Sequence, residues 1–208
     1  MLFRNREDAG KRLATAVESL SNKNLIIAAL PRGGIPLGVL IAKKQAVPFD
    51  VILAKKIGHP TNSEYAIGAV AEGGAPILGE GYVEQLHASW VKEEVPRIQK
   101  EMTRKRTLYR EDLESELLKG KDVLIVDDGI ATGLTMFAAI QAVKKQEAKS
   151  VQVAIPVIPK TTYEQLKQRV DGVYALEIPA HFLGGIGAYY KNFPQLSDEQ
   201  VREWLKSK

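Results

Sequence analysis

Val123-Leu124-Ile125-Val126-Asp127-Asp128-Gly129-Ile130-Ala131-Thr132-Gly133-Leu134-Thr135 changes character three times, from apolar to acidic to small and hydroxyl-bearing. Four unbroken apolar residues read as a strand buried on both faces of a parallel sheet. The run stops at two adjacent carboxylates, which places Asp127 and Asp128 where the strand emerges at the carboxyl edge. Open α/β sheets bind their ligands at that edge. Ala131 to Thr135 then leads into the helical pattern of Met136–Lys145. Backbone amides in such a loop, with a helix N-terminus behind them, suit an anion such as phosphate. Carboxylates suit hydroxyls or a cation. Together the two halves describe a sugar phosphate.

The rest of the chain alternates strand and helix. Apolar residues at Ala9, Leu13, Ala16, Val17 and Leu20 give Arg6–Leu20 a helical period. Leu25–Leu30 reads as a central strand and Ile35–Lys44 as the helix after it. Val51–Ile57 reads as a second strand and Ile67–Ala71 as a third. Tyr82–Leu118 is a long charged helical stretch with Tyr82, Leu86 and Trp90 on one face, which Pro96 should kink or restart. Val151–Val157 and Val173–Ile178 are further strands flanking a helix over Thr161–Val170. Ser197-Asp198-Glu199 opens a last helix as an N-cap cluster. This order predicts an α/β, doubly wound, mostly parallel sheet in a single domain over 1–208. A helical insertion is expected at about 81–119 and a small hood at about 179–208.

Composition narrows the class. A chain of 208 residues suffices for one large α/β domain. No apolar run approaches the ~20 residues that span a bilayer, and the opening MLFRNREDAGKR lacks a signal-peptide core. A cytoplasmic location with no membrane partner is expected. The absence of Cys excludes disulfides, thiol nucleophiles and Cys-based zinc sites. His59, His87 and His181 lack metal-ligand spacing. A net charge of +4 is modest, and the densest basic patch, Arg97–Arg110, reads as a solvated helix face rather than a nucleic-acid surface.

The segment Val123–Thr135 resembles the phosphoribosyl diphosphate (PRPP) signature of type I phosphoribosyltransferases. In that family an apolar strand precedes two acids, a spacer pair, a small residue, Thr, Gly, a variable position and Thr. Asp127, Asp128, Ala131, Thr132, Gly133 and Thr135 fit those positions. The resemblance implies that Asp127 and Asp128 hold the ribose hydroxyls and, partly through water, Mg²⁺. It assigns the 5-phosphate to Ala131, Thr132, Gly133, Leu134 and Thr135.

Leu30-Pro31-Arg32-Gly33-Gly34 also follows a strand and precedes a helix. Taken alone it is equally a plain turn or an anion loop, since two glycines admit a bulky anion and Arg32 can bond phosphate oxygens. Beside the PRPP signature it resembles the family's pyrophosphate loop, which implies roles for Arg32, Gly33 and Gly34 and a non-proline cis peptide at Pro31–Arg32. Lys55 or Lys56 is expected to assist at the pyrophosphate, with Gly58–Gly74 as part of a closing lid. Glu64, Tyr65 and Glu72 are further candidates to line the site.

At the other end the chain is similar to hypoxanthine-guanine phosphoribosyltransferases over Glu177-Ile178-Pro179, Phe182, Gly185 and Tyr190. That likeness implies that Phe182 stacks on a base and that the backbone of Leu183 meets its edge. Phe182 as a core plug is the alternative. Ala131 stands where the purine enzymes carry an Asp that takes the base's proton, as in adenine-type enzymes. The lysine that reads the purine oxygen would fall near Val157–Pro159, where none stands, although Lys160 is close, and a late Asp falls at Tyr189. The resemblance therefore implies a Mg²⁺-dependent phosphoribosyltransferase, a homodimer, that uses PRPP and an unnamed nitrogenous-base acceptor. The rivals are a PRPP- or nucleotide-sensing regulator without catalysis, and another phosphosugar enzyme on the same scaffold.

Overall fold

The computed structural model describes residues 3–20, 22–79, 84–110 and 116–208, excluding the side chains of 64, 84–87 and 110. Expectations resting on Tyr82 and on the side chains of Glu64, Leu86 and His87 lie outside the described residues.

In chain order the elements are α1 (Arg6–Ala16), β1 (Leu25–Ala29), α2 (Gly34–Gln45), β2 (Phe49–Val51), β3 (Ala54–His59), β4 (Asn62–Ala71), β5 (Ile77–Leu78) and α3 (Glu84–Arg110). They continue with β6 (Asp122–Val126), α4 (Leu134–Lys145), β7 (Ser150–Val157), α5 (Lys160–Lys167), β8 (Gly172–Glu177) and α6 (Asp198–Lys206). Five strands form a central sheet in the order β2-β1-β6-β7-β8, and every neighbouring pair is parallel. Parallel strands buried on both faces need apolar side chains at every position, and β1 (LIIAA) is buried throughout. Leu25, Ile27 and Ala29 join Leu124 and Val126 in a core with residues of α1, α2 and α6. Ile26, Ala28, Val123 and Ile125 face the opposite core, with Met136, Ile140 and Leu166 of α4 and α5. The winding reverses between β1 and β6. That switch point opens a crevice at the carboxyl edge.

The expected strand Val51–Ile57 is two strands. β2 pairs with β1 in the central sheet, and Ile52–Leu53 carries the chain out to β3 of a separate antiparallel sheet, β3-β4-β5. A continuous apolar run carries no mark of where a chain changes sheets, so the division was invisible. Residues expected in the Gly58–Gly74 lid lie mostly in the β3–β4 hairpin. Its sheet approaches α4 through Ala69, Ala71, Ala138 and Ala142, side chains small enough to let helix and sheet pack closely.

Helix α3 runs through Pro96 without restarting. A proline inside a helix costs ~3 kcal/mol. The burial of Val91, Ile98, Met102 and Tyr109 along the same helix supplies the offset. Trp90 also donates its indole N–H to the Gly58 carbonyl at 2.9 Å, fastening α3 to the hairpin.

Near the two ends of the chain, Phe3 bridges Tyr190 in parallel, and the Lys191 amide donates to the Phe3 carbonyl at 2.8 Å. This pairing sets α1 beside the carboxyl edge. Ser197 caps α6 with a reciprocal Gln200 bond, as its sequence predicts.

Candidate functional site at the carboxyl edge

The loops after β1 and β6 touch. A Cβ on Gly33 would lie 1.9 Å from the Asp128 Oδ2, and one on Gly34 would lie 2.4 Å from the Val126 carbonyl oxygen. Only glycine allows these approaches. The Pro31–Arg32 peptide is cis, as the resemblance implies. Residues 94 positions apart in sequence, Gly33 and Asp127, thus belong to one neighbourhood because β1 and β6 are adjacent strands.

The two carboxylates occupy different surroundings. Asp128 is buried, and its Oδ2 accepts from Arg6 Nε at 2.7 Å, with both side chains 11% exposed. Arg6 is fixed in turn by donating to the Pro194 carbonyl at 2.6 Å and by lying 3.8 Å over the Phe193 ring. Tyr190 donates its hydroxyl to the Asp128 carbonyl at 2.6 Å. Asp127 uses Oδ1 to accept the Asp128 amide at 2.8 Å, and among the described residues no cation forms an ion pair with it. Burial, and then the charge of Asp128, push the Asp127 carboxyl well above its ordinary range. Burial also raises Asp128, against the opposing pull of Arg6. Asp127 is therefore an electrostatically costly carboxylate that a cation would relieve.

Beyond the acids, Gly133 adopts a left-handed φ of 81° and precedes α4 with no side chain capping the helix. The first amides of α4 are left to an external partner, the usual condition of a helix-terminus anion site. The preceding turn is held by Thr162, whose hydroxyl donates to the Ala131 carbonyl at 2.8 Å. Thr132 is exposed and Thr135 half-buried at the mouth of this loop. Gly129 is confined too, since a Cβ there would meet Ile186 at 2.6 Å. The segment before α6 thus closes over the Asp pair.

The other expected residues are dispersed around this edge and beyond it. Arg32 and Lys55 line one cleft with Pro31, Leu53, Glu101 and Lys105, whereas strand alternation turns Lys56 to the other face of β3. Phe182 stacks on Tyr189 at 5.4 Å between ring centres. Leu183 is 63% exposed, and its amide donates to the Tyr189 hydroxyl at 3.0 Å. Glu72 is bound by Arg106 at 2.6 Å and lines a separate cleft with Asp50 that contains none of 127–135. Tyr65 lies with Thr132, Leu134 and Arg169 around a third cleft. The basic segment Arg97–Arg110 is partly spent on internal pairs, Arg97 with Glu94, Lys105 with Glu101 and Arg106 with Asp50. Sequence reasoning missed Arg6 and Tyr190 as partners of Asp128: Arg6 lies near no motif, and the likeness that includes Tyr190 gives it no role at the acids.

The fold and these loops define a member of the type I phosphoribosyltransferase class. A family model described as a phosphoribosyl transferase domain matches residues 2–190, and the chain belongs to that family. It is similar to TT1426 of Thermus thermophilus, a solved structure 37% identical that superposes with a TM-score of 0.82 over 100% of this chain and 99% of that one. A Mycobacterium tuberculosis protein named "Putative phosphoribosyl transferase" is 36% identical over 206 residues, 98% of this chain and 46% of its own length. The chain thus spans about half the length of that curated relative. The hypoxanthine-guanine phosphoribosyltransferase of Cricetulus griseus is 40% identical over 76 residues, 36% of this chain and 34% of its own. Among the described residues, no helix is long and apolar enough to cross a membrane.

Proposed function

We propose that this protein is a Mg²⁺-dependent phosphoribosyltransferase that transfers the 5-phosphoribosyl group of PRPP to a nitrogenous base and releases pyrophosphate. The observation that carries the reading is the contact between the two strand-end loops, with the Asp128 carboxylate against Gly33. In this reading the glycine-lined loop on one side and the uncapped helix terminus on the other would take the two phosphate ends of one ligand. The acids lie between, where the ribose of PRPP would be.

In this reading the amides of Ala131–Thr135 hold the 5-phosphate, and the Arg32–Gly34 loop with Lys55 receives the pyrophosphate. Asp127 meets the ribose hydroxyls. Its negative charge favours the oxocarbenium-like carbon that forms as the pyrophosphate departs. Asp128, fixed by Arg6, fills the space behind Gly33 and fixes the distance between the loops. Residues 182–190 shield the pocket from water that would otherwise intercept the sugar, and Phe182 with the Leu183 backbone borders the acceptor.

Mg²⁺ fits this donor set. Among the described residues no cluster of three or more His, Cys, Asp or Glu could cage a metal. Mg²⁺ takes one or two carboxylates and completes its shell with water and substrate phosphates, which is what Asp127, assisted by Asp128 through water, would provide. When bound it would neutralise charge on the departing diphosphate. A homodimer remains part of the proposal, with sedimentation of the purified chain as its check.

The engagement of Asp128 by Arg6 and the presence of Ala131 favour one rival, a sensor that binds PRPP or a nucleotide without turnover. Pyrophosphate release from PRPP and Mg²⁺ across a panel of bases separates the two. The enzyme reading expects release with one acceptor and a loss of at least about 100-fold in Asp127→Asn. Tight PRPP binding with no release from any acceptor would establish the sensor instead.

A further inference from the structure

Helix α3 stands outside the strand-end loops, yet it forms one wall of a charged cleft of ≈ 170 Å³ with the loop after β1 and the start of β3. The floor is apolar, made by Leu53 and Met102, both almost fully buried. Three cations, Arg32, Lys55 and Lys105, and one carboxylate, Glu101, line it. With every group ionised the lining carries three positive charges and one negative. The excess sits in a concave site backed by apolar side chains, where charge is less screened than on an open face.

Glu101 occupies the position an anion would take. Lys55 Nζ bonds its Oε2, and Lys105 Nζ lies 3.6 Å from its Oε1, so the carboxylate spans the two lysines with one oxygen each. Both lysines hold its carboxyl below the ordinary range, Lys55 most strongly. Arg32 is only loosely committed, at 3.8 Å from the Asp198 Oδ1, and that oxygen also accepts the Tyr109 hydroxyl at 3.0 Å. Two lysines clasping a single carboxylate, with an arginine within the same walls, match a ligand bearing more oxygens and more charge than a carboxylate offers. Arg32 is common to this cleft and to the Gly33–Gly34 loop.

We propose that this cleft is a diphosphate site in which Lys105 of α3 is a ligand-binding residue and Glu101 is a resident counter-ion that the diphosphate displaces. Naming diphosphate rests on the PRPP reading above, whereas the oxyanion chemistry of the cleft stands on Arg32, Lys55 and Lys105 themselves. The helix then has a purpose in donor binding. It carries the lysine that completes the cationic site and the carboxylate that keeps the site neutralised until ligand arrives.

Calorimetric titration of the full chain with inorganic diphosphate, at fixed ionic strength and with inorganic phosphate as a second probe, tests this. Lys105→Gln should weaken diphosphate binding about tenfold, the scale of one charged hydrogen bond. Glu101→Gln should tighten it about threefold, since the pair it breaks is partly exposed. Phosphate, with fewer oxygens and less charge than diphosphate, should respond less to both. In the wild type, the Glu101 side-chain carboxyl resonance should move as diphosphate is added. Because both residues lie on the surface of α3, unchanged unfolding midpoints check that each variant is folded, and the Glu101 resonance needs no variant at all.

Diphosphate affinity unchanged within twofold in Lys105→Gln, a weaker site in Glu101→Gln, or a stationary Glu101 resonance at saturating diphosphate would each overturn the proposal. Absence of PRPP turnover with every base, alongside the expected diphosphate responses, would remove the enzyme reading and leave this site standing. Turnover with none of the diphosphate responses would do the reverse.

Discussion

Replacing Arg6 by Leu isolates the consequence of pairing Asp128 inside the protein. Both side chains of the pair are 11% exposed and meet at 2.7 Å, so the exposed-pair value of 0–1 kcal/mol does not apply. Removing one partner leaves a buried carboxylate without a counter-charge, which costs about 3–5 kcal/mol. The bond to the Pro194 carbonyl and the contact over Phe193 disappear as well. For a chain of this length that loss lowers the melting temperature by on the order of 10 °C. Urea unfolding of wild type, Arg6→Leu, Asp128→Asn and the double variant measures it. The expected signature is coupling: Arg6→Leu should cost far less once Asp128 is Asn, because no charge remains to strand.

The pH dependence has a definite sign. Burial already raises the Asp128 carboxyl and Arg6 opposes that rise. Without Arg6 the folded-state value climbs further above the unfolded one. A carboxyl raised on folding contributes its stability when protonated, below the unfolded value, and loses it as pH increases through the folded value. The deficit of Arg6→Leu should therefore be large at neutral pH and shrink on acidification. A loss below about 1 kcal/mol at neutral pH, or additivity across the four proteins, would refute the assignment of this pair as a buried strut.

Three other outcomes follow from the same geometry. Gly33→Ala forces a Cβ to within 1.9 Å of an Asp128 oxygen that Arg6 holds in place; overpacking of this kind costs about 1–3 kcal/mol, and PRPP binding measured by calorimetry should fall with it. Tyr109 and Tyr190 are both raised, chiefly by burial and then by the charges of Asp198 and Asp128 respectively. They should remain protonated at about pH 11, and ultraviolet absorbance should show their ionisation only with unfolding, since stability from a raised tyrosine is fully present below its unfolded value and lost as pH rises through the folded one. Trp90→Phe removes the donor to the Gly58 carbonyl, a net loss of about 1 kcal/mol, and faster amide exchange should be confined to the β3–β4 hairpin and its contact with α3.

Legibility in the sequence followed the range of each interaction. The strand and loops at 123–135 and 30–34 were readable because a buried parallel strand, its terminal acids and the helix start are local patterns set by backbone geometry. The Ser197 cap was readable for the same reason. The split of Val51–Ile57 was not, because Ile52 and Leu53 are apolar whichever sheet they leave or join. Pro96 marks a local helix breaker, and that the helix does not restart there is set by the burial of Ile98, Met102 and Tyr109, which only tertiary packing decides. Arg6 gave no signal at all. Its distance from Asp128 is 122 positions in sequence, and nothing in the periodicity of α1 distinguishes it from Arg12.

That long-range pair changes what the acidic motif means. Two adjacent aspartates in a signature invite one role for both, but here the two carboxyls, close enough to interact, have different partners. Asp128 goes inward, where Gly33 leaves room and Arg6 supplies the charge. Asp127 is left beside a neighbour of like charge and with no cation of its own among the described residues. The inward acid thereby raises the demand of the outward acid for a ligand that brings positive charge or hydroxyl donors. The same division appears across the edge, where Glu101 pairs with Lys55 and Lys105 while Arg32 is only loosely paired. At both ends the chain pairs one charged group closely and another poorly, so in the proposed reading PRPP with Mg²⁺ would relieve an imbalance the fold itself sets up.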